Sequence, residues 1–413
     1  MRLAIALFYS TVAFASALGQ QKPSLNADFI GAFADAAGEY VVVAPVGSGA
    51  RQMLMLAETR NEQLRLMFPA GVDTFQIGPT LTQPSPVERR IVFRREGGRV
   101  AALEVTPGAP VRRRVFPRID IARHEVEFAD GNVTLRGTLY SPPRAGKGTP
   151  AIVLAHGSEA SDRNSFGPLP LVFAARGYVV LSYDKRGTGA STGSWKDVGL
   201  EPLGADLAAA IEYVARRREV DRQRIAVVGA SEGAWVAAIA ARRTSLIHAI
   251  VAISGGAQTK GVAYVHKMKR LGMEAGLQGS RLDSAVAEAA LTIDEAKARV
   301  LRDSATVTSF DRRVTYDPTE DWRKFRGAFL YVGGEADVLE PAAESARWFS
   351  DLFSSTEHPD YTIKLLPLGH HSLVRAVNGT PAEFTNLTGL KEMVPGYWSI
   401  LLRWLDDRLL SRR

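Results

Sequence analysis

The stretch Arg224-Ile225-Ala226-Val227-Val228-Gly229-Ala230-Ser231-Glu232-Gly233 decides how this chain is read. Arg224 to Val228 is a short aliphatic strand, and the residues from Gly233 to Ala241 form an amphipathic helix. Between them lies G-x-S-x-G, a turn so tight that the positions two before and two after the serine must lack side chains. Otherwise they would collide with the neighbouring strand and helix. The turn lifts the Ser231 hydroxyl into the open and sets it at a helix N-terminus, where a developing anion is stabilised. The five-residue pattern recurs by chance in many chains, and it is the strand before it and the helix after it that give it meaning.

Strand-like and helical runs alternate on either side of this turn. A hairpin turned at Asp130-Gly131 joins Arg123–Phe128 to Val133–Tyr140. The runs Ala151–Ala155, Tyr178–Tyr183, Ala249–Ile253, Ala328–Val332 and Thr362–Leu366 follow, several of them continuously aliphatic as parallel strands buried on both faces are. Amphipathic segments such as Leu203–Arg216 supply the crossovers. The expected fold is α/β, a doubly wound and mostly parallel sheet. Some seventy residues separate the strand ending near Ile253 from the next, far more than a crossover needs. A helical cap at about 257–325, with a helix over Ser284–Arg302, accounts for them.

A serine hydroxyl needs a base, and the base needs an orienting acid. In the chain order that this turn implies, serine, acid, histidine, the candidates fall after the last two strands. Asp337 stands in Gly333-Gly334-Glu335-Ala336-Asp337, with Glu335 and Glu340 as competitors. His371 stands in Gly369-His370-His371-Ser372-Leu373, with His370 beside it. His156-Gly157-Ser158 follows Ala151–Ala155. There Gly157 lets the backbone turn over the site, so that the amides of Ser158 and Glu232 serve as two oxyanion donors. His156 reads as a buried structural residue. The segment from Asp184 to Ser191 is glycine-rich, but its spacing is not that of a phosphate loop.

Residues from about 119 to 410 resemble the α/β-hydrolase superfamily, and most closely its bacterial serine-aminopeptidase-like and prolyl-oligopeptidase-like serine hydrolases. The resemblance rests on His156-Gly157-Ser158 with Asp162-Arg163, Tyr183-Asp184-Lys185-Arg186-Gly187-Thr188-Gly189 with Ser191, the turn at Ser231, Gly334-Glu335-Ala336-Asp337, and Gly369 to Leu373. It implies Ser231 as nucleophile, Asp337 as acid and His371 as base, with His371 preferred to His370 because a small and then an apolar residue follow it. Ala230 stands where the family often has histidine, and Glu159-Ala160 where it usually has Gly-Pro, a change that bears on the oxyanion loop and substrate preference. The implied activity is acyl transfer to water from a small-molecule ester or a short peptide, with no cofactor and no metal. A peptidase, a thioesterase, an acyltransferase, a lyase or haloperoxidase, and an inactive ligand-binding relative share the same residues.

Before residue 119 the pattern differs. Short apolar runs broken by turn residues (Glu39–Ala44, Gln52–Ala57, Glu62–Phe68, Arg89–Arg94, Arg99–Val105) read as a small antiparallel β domain over residues 20–118, with turns at Gly47-Ser48-Gly49 and Gly97-Gly98. A helix over Asn26–Ala37 is expected to lead into it. Residues 1–19 read as an export signal: one positive residue, an apolar run too short to span a bilayer, then small residues at the cleavage positions. A periplasmic or secreted protein without a stable membrane anchor is therefore expected.

The 413 residues are 46% hydrophobic and 23% charged, which is globular composition and excludes wholesale disorder. Cysteine is absent, which removes disulfides, thiolate metal sites and cysteine nucleophiles. The net charge of +7 is scattered. Arg112–Arg114 and Arg216–Arg218 lack interleaved aromatics and read as solvated faces, so no nucleic-acid partner is expected.

Overall fold

The computed structural model describes residues 27–46, 52–107, 113–303, 305–385 and 392–411. Eight strands come first: β1 (Gly31–Ala34), β2 (Tyr40–Val46), β3 (Met53–Glu58), β4 (Gln63–Gly71), β5 (Thr74–Ile77), β6 (Arg89–Glu96), β7 (Arg99–Pro107) and β8 (Arg114–Ile119). Each pairs antiparallel with the next, and β8 pairs back onto β1, with Ala32 opposite Ile119, so the sheet is a closed barrel. Closure removes the exposed edges that an open antiparallel sheet would carry. The strands alternate with a period of two. Phe33, Val41, Val43, Leu54 and Leu56 fill the barrel, while Ala32, Val42, Ala44 and Ala57 join the core of the following domain.

The helix expected over Asn26–Ala37 is not formed. A single helical turn spans Ala27–Phe29, and β1 begins at Gly31. Ala32 and Phe33 are buried on opposite sides of the strand, and this two-sided burial overrides the helix propensity of an alanine-rich run. The turn expected at Gly47-Ser48-Gly49 and the signal segment 1–19 lie outside the described residues. The turn at Gly97-Gly98 joins β6 to β7, both glycines having positive φ.

The second sheet contains β9 (Ala122–Asp130), β10 (Val133–Ser141), β11 (Thr149–Ala155), β12 (Val179–Tyr183), β13 (Val220–Ala230), β14 (Ile247–Ile253), β15 (Ala328–Gly334) and β16 (Tyr361–Leu366). Their spatial order is 16-15-14-13-11-12-10-9. The six strands from β11 to β16 run parallel, and the β9–β10 hairpin closes one edge antiparallel. Helices α1 (Leu169–Arg176), α2 (Leu200–Ala215) and α3 (Glu232–Arg243) make the first crossovers.

The insertion between β14 and β15 holds α4 (Lys260–Glu274), α5 (Gly279–Leu301), α6 (Ser309–Val314) and α7 (Thr319–Lys324). Helices α4 to α6 form the cap. Helix α7 rejoins the main core, where Trp322 is fully buried and donates from Nε1 to the Gly256 carbonyl at 2.7 Å. Helix α8 (Ala342–Ser355) connects β15 to β16, and α9 (Pro381–Thr385) and α10 (Tyr397–Leu409) follow.

Alternate residues of the parallel strands enter two cores. Val153, Leu181, Val227 and Ala252 meet α2, α3 and α8; Ile152, Val180, Val228 and Val251 meet α1, α10 and the barrel. The chain passes from β11 to β12 on one side and then to β13 on the other. The strand order therefore reverses beside β11, and ligands of open α/β sheets bind at such a switch point.

Candidate active site

Ser231 follows β13 directly and caps α3 with φ 52 and ψ −122, a backbone state that L-residues avoid and that the surroundings enforce. Its amide donates to the Ile253 carbonyl at 2.8 Å. The two glycines around it are obligatory. A Cβ at 229 would lie 2.5 Å from the Gly233 oxygen, and one at 233 would lie 2.1 Å from the Ala155 oxygen.

The turn after β11 stands directly against this elbow, since a Cβ at Gly157 would come within 3.5 Å of the Ser231 Cβ. His156 is buried, its ring 4.9 Å from that of Phe166 and 5.1 Å from that of Tyr183. Burial, and then the Lys185 charge, pull its pKa down to about 3, so it is a neutral packing residue.

The loops after β15 and β16 cross closely. A Cβ at Gly334 would lie 2.2 Å from the Gly369 oxygen, and the Ala336 amide donates to that oxygen at 2.8 Å. This crossing brings Asp337 and His371 together, with Asp337 Oδ2 2.8 Å from His371 Nδ1. Oδ1 of the same carboxylate accepts from the amides of Leu339 at 2.8 Å and Glu340 at 3.0 Å. Asp337 is thus buried yet satisfied, and its free edge faces the imidazole. Of the competing acids, Glu335 is exposed. Burial, and then the Asp337 charge, push the Glu340 carboxyl well above the usual carboxylate range. His370 is turned inward at 0% exposure, and burial followed by the neighbouring His371 lowers its pKa to about 4.

Glu232 offers its backbone amide to the site, and its side chain is a second feature of it. It is 0% exposed and meets three cations. Arg313 of α6 places one guanidinium nitrogen 2.8 Å from both carboxylate oxygens, Lys185 stands 3.4 Å away, and Lys260 of α4 pairs with Oε2. Burial opposes the charged form, but Lys260, Lys185 and Arg313 outweigh it and hold the carboxyl at about 2. Arg299 of α5 steadies α6 by binding Asp311 at 2.7 and 3.0 Å.

The segment after β12 carries three consecutive buried charges with different partners. Asp184 binds Arg163 through Oδ2 at 2.8 Å, Lys185 reaches the β11–α1 loop, and Arg186 binds Asp206 of α2 at 2.6 Å. Gly189 has φ 51 and approaches so closely that a Cβ would lie 2.4 Å from the Asp184 carboxylate. In the sequence Lys185 stands only as part of the Tyr183–Gly189 motif, with no role of its own, and Lys260 and Arg313 carry no mark. The signal available for Lys185 was a run of three charges directly after a strand that is aliphatic except for Ser182 and Tyr183.

A cavity of about 350 Å³ opens between α4 and α5, lined by Val262, Val265, His266, Lys269, Ile293 and Lys297 among others. His266 Nε2 lies 3.3 Å from the Asp337 carbonyl oxygen, so the cap packs on the loop that carries Asp337. Among the described residues no group of three or more His, Asp or Glu is placed to hold a metal ion, and no helix is long and apolar enough to cross a membrane.

Residues 130–355, more than half of the chain, match the family model of X-Pro dipeptidyl-peptidases of the S15 family. The chain belongs to the peptidase S15 family. The matched span contains Ser231 and Asp337 and ends before His371. The S15 assignment and the strand order agree on an α/β-hydrolase fold for this chain.

Relatives resemble this S15 member over a limited length. Uncharacterized protein PA2218 of Pseudomonas aeruginosa is 34% identical over 120 residues, 28% of this chain and 32% of that protein. The thiohydrolase apmlB of Arthrinium phaeospermum is 35% identical over 132 residues, 31% of this chain and 42% of that protein. The chain thus spans less than half of the length of these curated relatives. Among solved structures, the acylaminoacyl peptidase of Pyrococcus horikoshii superposes with a TM-score of 0.49 at 15% identity, covering 91% of this chain and 55% of that one.

Proposed function

We propose that this S15-family hydrolase cleaves carboxylic esters by acyl transfer to Ser231. The observation that carries the reading is the Asp337–His371 hydrogen bond of 2.8 Å on the sheet edge where the strained Ser231 elbow stands. His371 takes the Ser231 proton as the oxygen attacks the carbonyl carbon. Asp337 holds the imidazole tautomer and stabilises the imidazolium. The Ser158 and Glu232 amides bind the oxyanion. His371 returns the proton to the departing alcohol, and water then repeats the cycle on the acyl-enzyme, releasing the acid and free Ser231.

One feature disfavours peptides gripped at a free amino terminus by Glu232; Glu159, exposed in the β11–α1 loop, is the alternative grip. Such a grip needs an unpaired carboxylate near the nucleophile. The nearest in sequence, Glu232, is enclosed by Arg313, Lys185 and Lys260, while Asp337 serves the imidazole. The second reading, dipeptidyl cleavage, is the activity in the family's own description.

A panel of p-nitrophenyl esters, acyl thioesters and X-Pro amides tests the assignment, with fluorophosphonate labelling of the wild type and Ser231→Ala. Ester turnover and labelling that both vanish in Ser231→Ala support it. Turnover confined to X-Pro amides replaces it with the peptidase reading. Residues 1–19 support export as part of the same proposal, and the N-terminal residue of protein recovered from a periplasmic fraction tests it.

A further inference from the structure

Lys185 stands two residues past the end of β12 and is 4% exposed. An ammonium has three N–H donors. Here the acceptors around it are the Gly157 carbonyl at 2.6 Å, the Glu159 carbonyl at 3.3 Å and Glu232 Oε1 at 3.4 Å. Two of these flank Ser158 along the backbone. The third belongs to the residue after the nucleophile. One side chain therefore touches both halves of the proposed oxyanion hole, and the acyl-transfer steps do not otherwise use it.

Peptide geometry gives the shortest of these contacts its meaning. The Gly157 carbonyl and the Ser158 N–H belong to one planar trans peptide and point in opposite directions. Gripping the oxygen from one side fixes the direction of the N–H on the other. Gly157 lies beside Ser231, so this peptide is the one next to the nucleophile. A cation on the carbonyl also polarises the amide and makes its N–H a stronger donor. The Trp195 ring, 4.9 Å from Lys185 Nζ, covers the ammonium.

We propose that Lys185 is the positioning residue of the oxyanion hole, holding the Gly157–Ser158 peptide so that the Ser158 N–H meets the substrate oxygen as it gains negative charge. This rests on the acyl-transfer reading above. The active form is the charged ammonium. Burial, then Arg313 and Lys260, lower its pKa to about 8 against the pull of Glu232. The other charged or titratable groups around it are His156, Tyr183 and Asp206, which share a small gap with it, and its chain neighbours Asp184 and Arg186; burial pushes the Tyr183 hydroxyl far up, so it stays neutral. His156 at about 3 and Asp206 at about 6 have finished titrating before Lys185 begins.

The test is steady-state kinetics of wild type, Lys185→Met, Lys185→Arg and Ser231→Ala on p-nitrophenyl butyrate, with thermal unfolding of each. Removing one oxyanion donor costs about 10²–10³ in kcat, so a misaimed donor in Lys185→Met is expected to cost about 10- to 100-fold in kcat with KM nearly unchanged. Lys185→Arg should keep most of the rate. A trifluoromethyl ketone, which forms an oxyanion on Ser231, should lose affinity by the same factor as kcat/KM. Wild-type kcat should fall as the pH rises through about 8, and Lys185→Arg should move that fall upward. An unchanged kcat in folded Lys185→Met, or a loss seen only in KM, overturns the proposal. If Lys185→Met does not fold, Lys185→Gln is measured in its place under the same criteria. Hydrolysis surviving in Ser231→Ala sinks the acyl-transfer reading itself, whereas an inactive Ser231→Ala beside an unimpaired Lys185→Met sinks only the role of Lys185.

Discussion

Arg313 reaches down from the cap to hold both carboxylate oxygens of Glu232 at 2.8 Å, one residue beyond the elbow serine. With Lys260 on the same carboxylate, two cap helices are fastened to the residue that follows Ser231. Replacing Glu232 by Gln leaves Arg313, Lys185 and Lys260 crowded around a neutral amide. Breaking a buried pair in this way costs about 3–5 kcal/mol. Urea unfolding of Glu232→Gln should show that loss, and a stability within about 1 kcal/mol of wild type would mean that the cluster is solvated rather than buried.

The two adjacent histidines separate cleanly by variant. His371→Asn removes the ring that Asp337 orients, and should lower ester turnover on the order of 10⁴-fold or more while leaving the melting temperature nearly unchanged. His370→Asn alters a fully buried side chain, and should lower the melting temperature while the folded fraction still turns over ester. The opposite pattern would reassign the base to His370.

Acid should destabilise the fold below neutrality. His156 titrates at about 3 in the folded chain, and His358 and His370 at about 4, all lowered first by burial from an ordinary value of 6.5. Between those values and 6.5 the unfolded chain binds more protons, so stability rises with pH across that window and is lost as the pH falls through it. Asp206, raised by burial to about 6, acts in the opposite sense and offsets part of the slope. His358 lies against Phe325, Phe353 and Tyr361, so His358→Phe removes one titrating group from an aromatic pocket that suits it. The melting temperature of His358→Phe should fall less between pH 7 and pH 4.5 than that of wild type. Equal slopes would remove His358 from the account.

Gly233→Ala puts a methyl group 2.1 Å from the Ala155 carbonyl oxygen, which is backbone and has little freedom to yield. Overpacking of this kind costs about 1–3 kcal/mol. The displaced turn should also carry Ser231 out of place, so fluorophosphonate labelling should slow in the folded variant. Labelling at the wild-type rate would show that the elbow tolerates a side chain there.

The parallel strands were legible because burial on both faces leaves a continuous aliphatic run, as in Ala151–Ala155 and Ala249–Ile253. The Ser231 turn was legible because its two glycines stand at fixed spacing. Five of the barrel's eight strands were visible as antiparallel runs; β1, β5 and β8 were not, being short or arginine-rich, and the ring itself was hidden, since the pairing of β1 with β8 joins residues some ninety positions apart and leaves no local mark. Ala32 and Phe33 misled for a related reason: local propensity says helix, while each residue is buried by a different domain. The cation cluster was hidden because Lys185, Lys260 and Arg313 come from three distant segments. Only the fold reveals that they share one carboxylate.

Glu62 has a consequence for how this protein can be cut or transplanted. From the barrel side, its carboxylate accepts the amides of Gly396 and Trp398 at 3.1 Å each, at the start of α10, and its carbonyl accepts the Met393 amide at 2.7 Å. Val42, Ala44 and Ala57 complete the apolar wall behind that helix. The α/β half expressed alone would expose that apolar wall and leave its final helix without the Glu62 cap, so the barrel buttresses it.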